Sequence, residues 1–292
     1  MSGPRVPRIL APVDLGHSSE AALRCAQMLV SRLGAELTVM YVNDALTLQS
    51  YDQIYTGYRD LPDEQEELME DAVRGFATPI LGRTRYDVLV VADDTARAIA
   101  TAAERHDASM IVLGTHGRHG WHRLMDGSVA ESVLRATERP VLTVPQCVEK
   151  HDVSALLCPV NFTPLARYAV NAACCLAKQF DARLHVVHIA AERSHADLEG
   201  LQQAIREWID PSAEEHCDFR QIVRRSGSAA DQILECSNDI GADLMVVGGG
   251  RRAHGMQRGS GTTVERLIRA ATIPVMSVVQ PWTGALASPL AV

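Results

Sequence analysis

The amino-acid sequence contains the same pattern twice, and this internal repeat restricts the possible folds more than any other feature. The segment RILAPVDL, beginning at Arg8, resembles ALLCPVNF, beginning at Ala155, at an offset of 147 residues. AELTVMYV, beginning at Ala35, resembles ARLHVVHI, beginning at Ala182, at the same offset of 147 residues. Self-similarity over so long a period indicates that one folding unit occurs twice in tandem.

The repeat continues at a shorter offset in the later part of each half. MIVLG, ending at Gly114, resembles LMVVG, ending at Gly248, at an offset of 134 residues, and RPVLTV and IPVMSV follow at the same offset. The first half therefore contains 13 additional residues between positions 43 and 92, the difference between the two offsets. Three tyrosines of this polar insertion could cover a ligand or a partner, or only anchor an exposed loop: Tyr51, Tyr55 and Tyr58.

Each half alternates short apolar segments with amphipathic ones. The first amphipathic segment, from Ser19 to Leu33, has apolar residues at the spacing of one buried helical face: Ala22, Cys25, Ala26, Leu29 and Leu33. Nearly all-apolar strands are typical of parallel sheets whose two faces are covered by helices. Strictly alternating strands and helices predict parallel pairing through right-handed crossovers. We therefore predict an α/β fold of two tandem doubly wound domains, each a five-stranded parallel sheet with helices on both faces.

The size and composition of the chain agree with two domains. The chain has 292 residues, of which 47% are hydrophobic and 22% are charged, so each half can form a packed core. A polar link near residues 146–152 separates the halves. We predict a first domain at residues 1–147, a second domain at residues 152–281 and a tail at residues 282–292.

Charge and cysteine content limit the possible partners and the location. The formal net charge is -8, which disfavours nucleic acid and anionic membranes as partners because both repel an acidic protein. The first ten residues lack the apolar stretch of a secretory signal. The seven cysteines are scattered and form no C-x-x-C pair, as is usual in a reducing compartment. We expect a cytoplasmic protein.

The segment GTHGRHGWHRLMDGS, from Gly114 to Ser128, is the main candidate for ligand binding. It follows an apolar strand and leads into the helix SVAESVLRA. Glycines allow backbone to approach an anion closely, and a helix N-terminus offers free N–H groups to a phosphate. A purely structural interpretation is also available, because Ser128 and Glu131 have the spacing of a helix capping box. Thr262 and Glu265 repeat that spacing in the second half.

The glycines and serine of this segment follow the pattern G-x2-G-x9-G-S. This pattern resembles the nucleotide loop of the ATP-binding branch of the universal stress protein family. The early segment ILAPVD and the closing segment RPVLTV also resemble that family, and the resemblance covers both halves and almost the whole chain. It implies the adenine-nucleotide alpha-hydrolase-like fold and a site for ATP, or for ADP or AMP in its place, with Mg²⁺ as an accompanying ion.

The resemblance also implies which residues of the first half contact the nucleotide. Adenine and ribose would lie near Asp14, at the end of the first strand, and Val42, at the end of the second. The glycine loop and Ser128 would hold the phosphates. The complete set of implied contacts is Pro12, Val13, Asp14, Val42, Gly114, His116, Gly117, Arg118, Gly127, Ser128 and Val129. Asp14 also has a structural interpretation, since Asp commonly forms a turn after a strand.

The second half departs from the nucleotide-binding pattern at two positions. Arg251 occupies the position that corresponds to Gly117, and Asn161 replaces Asp14. A side chain at the first position would intrude if the backbone there must approach a phosphate, although a guanidinium could instead neutralise one. We therefore expect the nucleotide in the first domain, with a degenerate or differently selective site in the second.

Metal binding and catalysis receive little support from the sequence. The three histidines at three-residue spacing, His116, His119 and His122, lack the cysteine or carboxylate partners of a zinc motif. Arg118 and Arg123 are candidate phosphate partners or ordinary solvated cations. The sequence contains no hydrolase elbow, no zinc-protease motif and no P-loop with its lysine. We therefore name no catalytic residue and no metal ligand, and we expect slow ATP hydrolysis at most.

These observations predict an ATP-binding regulatory protein that acts in stress responses through protein partners. The fifth strand of each half is a valine-rich sheet edge, and members of the resembled family commonly dimerise there. The resemblance therefore implies an intramolecular pseudo-dimer, with homodimers also open to the chain. The alternative from another functional class is a nucleotide-free scaffold or chaperone-like interaction protein, in which both glycine loops are structural.

Overall fold

The computed structural model describes residues 6–44, 63–115, 129–148, 152–191, 198–209, 219–226, 228–249 and 263–282. The chain divides into two compact units between residues 151 and 152. Each unit contains five strands and its own buried core, and each is considered by itself.

The first unit alternates five strands with four helices. The order is β1 (Arg8–Val13), α1 (His17–Leu33), β2 (Glu36–Val42), α2 (Asp63–Leu81), β3 (Asp87–Val91), α3 (Thr95–Arg105), β4 (Met110–Thr115), α4 (Val129–Ala136) and β5 (Val141–Pro145). The strands lie in the order β3-β2-β1-β4-β5, and every pair in this sheet is parallel. The predicted five-stranded, doubly wound sheet is therefore confirmed.

Helices cover both faces of this sheet. Helix α1 packs on β1, β4 and β5 with α2 beside it, while α3 packs against α4. The apolar stripe predicted for α1 is buried, with Ala22 and Ala26 fully enclosed. The helix begins at His17, two residues before the predicted start, because the carbonyl oxygen of Gly16 accepts hydrogen bonds from the N–H groups of Ser19 and Glu20. The helix ends at Leu33, and the following residue, Gly34, has the left-handed φ of 61° that suits a glycine cap.

The second unit has the same architecture. Its elements are β6 (Ala155–Val160), α5 (Pro164–Phe180), β7 (Arg183–Ala191), α6 (Leu198–Trp208), β8 (Phe219–Ser226), α7 (Ala229–Asp239), β9 (Leu244–Gly248), α8 (Thr263–Ala270) and β10 (Val275–Val278). Its strands lie in the order β10-β9-β6-β7-β8, again all parallel within the unit. Helix α5 packs on β6 and β9, and α7 packs against α8.

The repeat found in the sequence is also a repeat in three dimensions. Val13 of β1 is in register with Tyr41 of β2, and the corresponding pair in the second unit is Val160 and His188. The insertion predicted in the first half is partly explained by helix length, since α2 has 19 residues and α6 has 11. Tyr51, Tyr55 and Tyr58 of the insertion lie outside the described residues.

None of the described helices combines the length and apolarity needed to cross a bilayer. The buried apolar residues instead lie in short strands and on one face of each amphipathic helix, and they form the two cores.

Buried cysteines give a first prediction. Burial raises the pKa of the Cys25 thiol from 9.0 to about 12, and it raises the pKa of Cys158 in the second core as well. Because thiolate is the reactive form, iodoacetamide at pH 8 should alkylate exposed Cys147 and leave both buried thiols unmodified until the protein unfolds. The neutral thiol is favoured in the folded state, so its contribution to stability is complete below pH 9 and is lost as the pH rises toward 12. Mass spectrometry of tryptic peptides measures the labelling, and rapid labelling of Cys25 in folded protein would contradict the assignment.

Candidate functional site

The strand order of the first unit reverses between β1 and β4, whose carboxyl ends lie side by side. From β1 the chain continues to β2 on one side, whereas β4 and β5 lie on the other side. The ends of the strands at such a reversal of strand order are the usual ligand position in open α/β sheets. The candidate residues of the first unit fall at this edge.

Asp14 forms a tight turn directly after β1. Its Oδ1 atom accepts hydrogen bonds from the Gly16 N–H at 2.9 Å and from the Ser19 hydroxyl at 2.6 Å, and its own N–H donates to the Ser19 Oγ at 2.8 Å. Leu15, between them, has a φ of 59°, a conformation that a leucine adopts only where its surroundings impose it. The structural interpretation of Asp14 as a turn residue is therefore correct.

The same turn leaves Asp14 able to bind a ligand. The residue is exposed at the sheet edge, and all of its described carboxylate hydrogen bonds involve Oδ1. Oδ2 therefore has no hydrogen-bond donor among the described residues. A carboxylate held at one oxygen is a pre-oriented acceptor at the other, as recognition of a ribose hydroxyl or a base amine requires.

Gly114 has a structural role that the sequence did not reveal. A Cβ atom at this position would lie 2.2 Å from the carbonyl oxygen of Ser18, in the first turn of α1. Gly248 in the second unit is in the same situation, because its Cβ would lie 2.3 Å from the carbonyl oxygen of Leu165. Close packing of the first helix of each unit therefore explains this glycine in both halves, whether or not a phosphate lies nearby.

The N-terminus of α4 is the other described end of the candidate loop. Val129, its first residue, is 47% exposed, and the first N–H groups of a helix have no partner within the helix. Glu131 in the same turn is buried, and its carboxylate lies 3.8 Å from the Arg135 guanidinium. The remaining nucleotide-contact candidates lie outside the described residues: His116, Gly117, Arg118, Gly127 and Ser128. The proposed helix cap of the second unit, Thr262, lies outside them as well.

The other candidates from the strands lie where the sequence placed them. Pro12 and Val13 are buried at the end of β1, in register with Met40 and Tyr41. Val42, the last residue of β2, is partly buried. The strands thus bring Val13, Asp14 and Val42 to one edge of the sheet, within neighbouring β1 and β2.

An ion pair at this edge was missed by the sequence reasoning. Asp93 follows β3, is only 5% exposed, and accepts hydrogen bonds from two nitrogens of the Arg97 guanidinium. Hydrogen bonding to Asp93 raises the pKa of Arg97. Beside it, the Thr95 hydroxyl donates to the Asp44 carboxylate at 2.5 Å and joins the ends of β2 and β3. The signal was present in the sequence, as two aspartates directly after an apolar strand with an arginine four residues further on.

The second unit has a different arrangement at the corresponding edge. Asn161 Oδ1 accepts a hydrogen bond from the Thr163 hydroxyl at 2.7 Å, and Phe162 repeats the unusual conformation of Leu15 with a φ of 60°. The Phe162 ring lies 4.8 Å from the His188 ring and 5.7 Å from the Trp208 ring, measured between centroids. Phe162 and His188 thus stand where the first unit has Leu15 and Tyr41, and the Trp208 ring packs against Phe162.

Within the described part of the chain, no group of three histidine, cysteine or carboxylate side chains is placed to hold a metal ion. His116, His119 and His122 lie outside it.

Comparison with known proteins identifies relatives of both units. The family model described as "Universal stress protein family" matches residues 6–145 and again residues 154–278. A putative universal stress protein of Staphylococcus saprophyticus is 30% identical over 139 residues, which cover 47% of this chain and 81% of that protein.

One solved structure that covers nearly the whole chain supports the same fold. The crystal structure of a universal stress protein from Archaeoglobus fulgidus has 21% identity and a TM-score of 0.67, covering 93% of this chain and 98% of that one. A universal stress protein solved in complex with cAMP matches less closely, with 17% identity and a TM-score of 0.36 over 48% of this chain and 98% of that one.

Proposed function

Since the chain belongs to the universal stress protein family as a tandem pair of its domains, we propose that its first unit binds ATP, or ADP or AMP in its place, at the carboxyl edge of β1, β2 and β4. The observation that carries this proposal is the turn at Asp14. It holds a carboxylate at the switch point of the sheet with one oxygen engaged in the turn and the other available.

The adenosine end of the ligand would contact the ends of β1 and β2. Asp14 Oδ2 accepts a hydrogen bond from ribose or base, while backbone near Val13 and Val42 borders the base. The side chain of Val13 is only 7% exposed, so its contribution there comes from the main chain. This end is already fixed by the Ser19 and Gly16 hydrogen bonds, and a rigid acceptor loses little entropy on binding.

The phosphate end would contact the start of α4 and the loop before it. The first N–H groups of a helix have no acceptor within the helix, so the start of α4 at Val129, together with the helix dipole, favours an anion at this position. By the resemblance, Gly114, Gly117 and Gly127 give the backbone of the loop room beside the phosphates, and His116, Arg118 and Ser128 contact them. A Mg²⁺ ion would neutralise the phosphate charge. We infer that these residues bind the phosphates, and we assign a catalytic role to none of them.

The function that follows is regulatory. Nucleotide binding between β4 and α4 would change a surface that protein partners recognise, in the cytoplasm and with slow hydrolysis at most. Pairing through the fifth strands, within the chain or between two chains, would carry that change across an interface.

One observation favours the alternative of a nucleotide-free scaffold or chaperone-like protein. The packing of Gly114 and Gly248 against the first helix of each unit explains a loop glycine with no ligand at all. The two functions differ in one measurable property, because a scaffold has no affinity for ATP.

Asp14 provides the test. Asp14→Asn, which imitates the second unit, keeps an Oδ1 acceptor for the turn but replaces the free oxygen by an amide donor. We expect ATP to bind about 10-fold more weakly, which corresponds to the loss of one hydrogen bond of about 1.4 kcal/mol. Isothermal titration with ATP and Mg²⁺ measures the affinity. The matched control is Asn161→Asp, which should leave it unchanged. Equal affinities of the parent and Asp14→Asn would refute the assignment of the base end.

A further inference from the structure

The solvent-facing side of α2 has an unusual composition for a surface helix. An amphipathic helix normally presents charged residues at the centre of its exposed face. The centre of the exposed face of α2 instead carries an apolar line with helical spacing, here named the α2 stripe: Leu68, Ala72, Gly75 and Pro79. All four residues are exposed, and Leu68 is 64% exposed, the highest value among the large hydrophobic residues that the structure describes.

The opposite face of α2 makes the contacts that hold the helix in its own unit. Val73, Ala77 and Leu81 are fully buried on that face, and α2 packs on α1, β2 and β3. On the α2 stripe, by contrast, a Cβ atom at Gly75 would meet no described atom within 4 Å. The described part of the chain therefore leaves the middle of the stripe uncovered.

The α2 stripe also weakens the helix that carries it. Glycine disfavours a helix interior, and Pro79 lies inside α2 without an N–H group to donate. The carbonyl oxygen of Gly75 consequently receives no hydrogen bond from the residue four positions further on. Both residues are poor choices for a helix that faces water alone. On a helix that meets another, a glycine allows close approach of the second backbone, and the free carbonyl offers it an acceptor.

The charges of α2 are separated along its length. Residues 63–71 contain six carboxylates and no basic residue, whereas residues 72–85 contain three arginines and no carboxylate. One of these arginines, Arg74, pairs with Glu70 at 3.2 Å within the helix, and the other two, Arg83 and Arg85, are exposed just beyond its end. Two α2 helices that pack antiparallel would therefore bring opposite charges together, and two parallel ones would bring like charges together.

We propose that the α2 stripe is the contact surface of a homodimer in which the α2 helices of two copies pack antiparallel about a two-fold axis. A two-fold contact requires a surface that is complementary to itself. In this register Leu68 of one copy packs on Pro79 of the other, and Ala72 faces Gly75. The large exposed side chain thus meets a ring at each end, and small residues meet where the backbones cross.

This surface differs from the fifth strand and from the nucleotide edge. Within the first unit α2 packs on β2 and β3, whereas β5 lies at the other edge of the sheet. The dimer therefore requires neither pairing of the fifth strands nor a bound nucleotide. Because one helix from each copy makes a small interface, we expect a reversible dimer with a Kd on the order of 10 μM.

Sedimentation equilibrium of the full chain at concentrations up to about 200 μM tests the proposal by measuring this Kd. Leu68→Glu places a charge in both stripes of the dimer and is expected to raise the Kd at least about 20-fold. The matched control is Leu165→Glu, at an exposed leucine of the second unit, which should keep the parent Kd. Circular dichroism verifies that each variant is folded.

Charge reversal tests the antiparallel register. Glu64 and Arg83 lie opposite each other in this register, since they are centred on the same point of the helix as the pairs of the stripe. Glu64→Arg and Arg83→Glu are each expected to raise the Kd about 5-fold, because the dimer contains the pair twice, and the double variant should return it to within about 2-fold of the parent.

Three results would overturn the α2 dimer. The first is a parent chain that remains monomeric up to about 200 μM, whatever else covers the stripe. The second is a dimer of Leu68→Glu as tight as that of the parent, which would place the contact on another face. The third is a double charge variant that dimerises no better than the single ones. Each of these results leaves the proposed nucleotide site untouched, because ATP is absent from the measurement.

Discussion

Replacing Gly114 with alanine is expected to destabilise the first unit by about 3 kcal/mol, the upper part of the range for overpacked sites. The new Cβ would lie 2.2 Å from the carbonyl oxygen of Ser18. That oxygen belongs to backbone in the first turn of α1, which cannot move aside without separating the helix from β4. Urea denaturation followed by far-UV circular dichroism measures the loss, and the same change at Gly248 should destabilise the second unit for the same reason.

Gly75 provides the matched control for this prediction. It lies within α2, and a Cβ there would meet no atom within 4 Å. Gly75→Ala is therefore expected to stabilise the chain by about 0.5 to 1 kcal/mol, the difference in helix propensity. A Gly114→Ala variant as stable as the parent would contradict the packing explanation and return this glycine to the candidate phosphate contacts alone.

Replacing Gly117 with arginine is expected to weaken the affinity for ATP by at least about 100-fold while leaving the fold intact. The change imitates the second unit, which has Arg251 at the corresponding position. If the backbone at this position approaches a phosphate, a side chain excludes the ligand by overlap. Isothermal titration with ATP and Mg²⁺ measures the effect, and thermal unfolding verifies the fold.

The reverse change in the second unit serves as the control for Gly117→Arg. Arg251→Gly changes the second unit alone, so it should leave the ATP affinity of the first unit at the parent value. Unchanged ATP affinity in Gly117→Arg would show that the G-x2-G-x9-G-S pattern does not mark the phosphate site of this chain.

The fold could be predicted from the sequence because its signals are local and occur twice. Apolar strands such as β1 (Arg8–Val13) and the apolar stripe of α1 depend on residues close in the chain, and the repeat shows each of these patterns a second time. The turn at Asp14 was also predictable, since an aspartate after a strand bonds its own neighbours. Helix ends were less certain, because the start of α1 depends on Gly16 rather than on the serines that follow.

The side-chain contacts at the carboxyl ends of the second unit's strands could not be predicted, because they join distant parts of the chain. Phe162 and Trp208 are separated in the chain by α5, β7 and most of α6, and no spacing rule relates them. The packing role of Gly114 was hidden for the same reason, since the atom it approaches belongs to Ser18. Gly114, which the sequence pattern marks as a ligand contact, therefore has a second, structural cause that appears only when the helix is packed on the sheet.

The most direct test of the central proposal is the nucleotide content of freshly purified protein. Denaturing the full chain and chromatographing the released small molecules identifies the ligand and gives its ratio to protein. The account predicts one adenine nucleotide per chain, either already bound or taken up on titration with ATP and Mg²⁺, and its loss in Gly117→Arg. Protein that releases no nucleotide and binds none on titration would contradict the account and establish the scaffold as the better description.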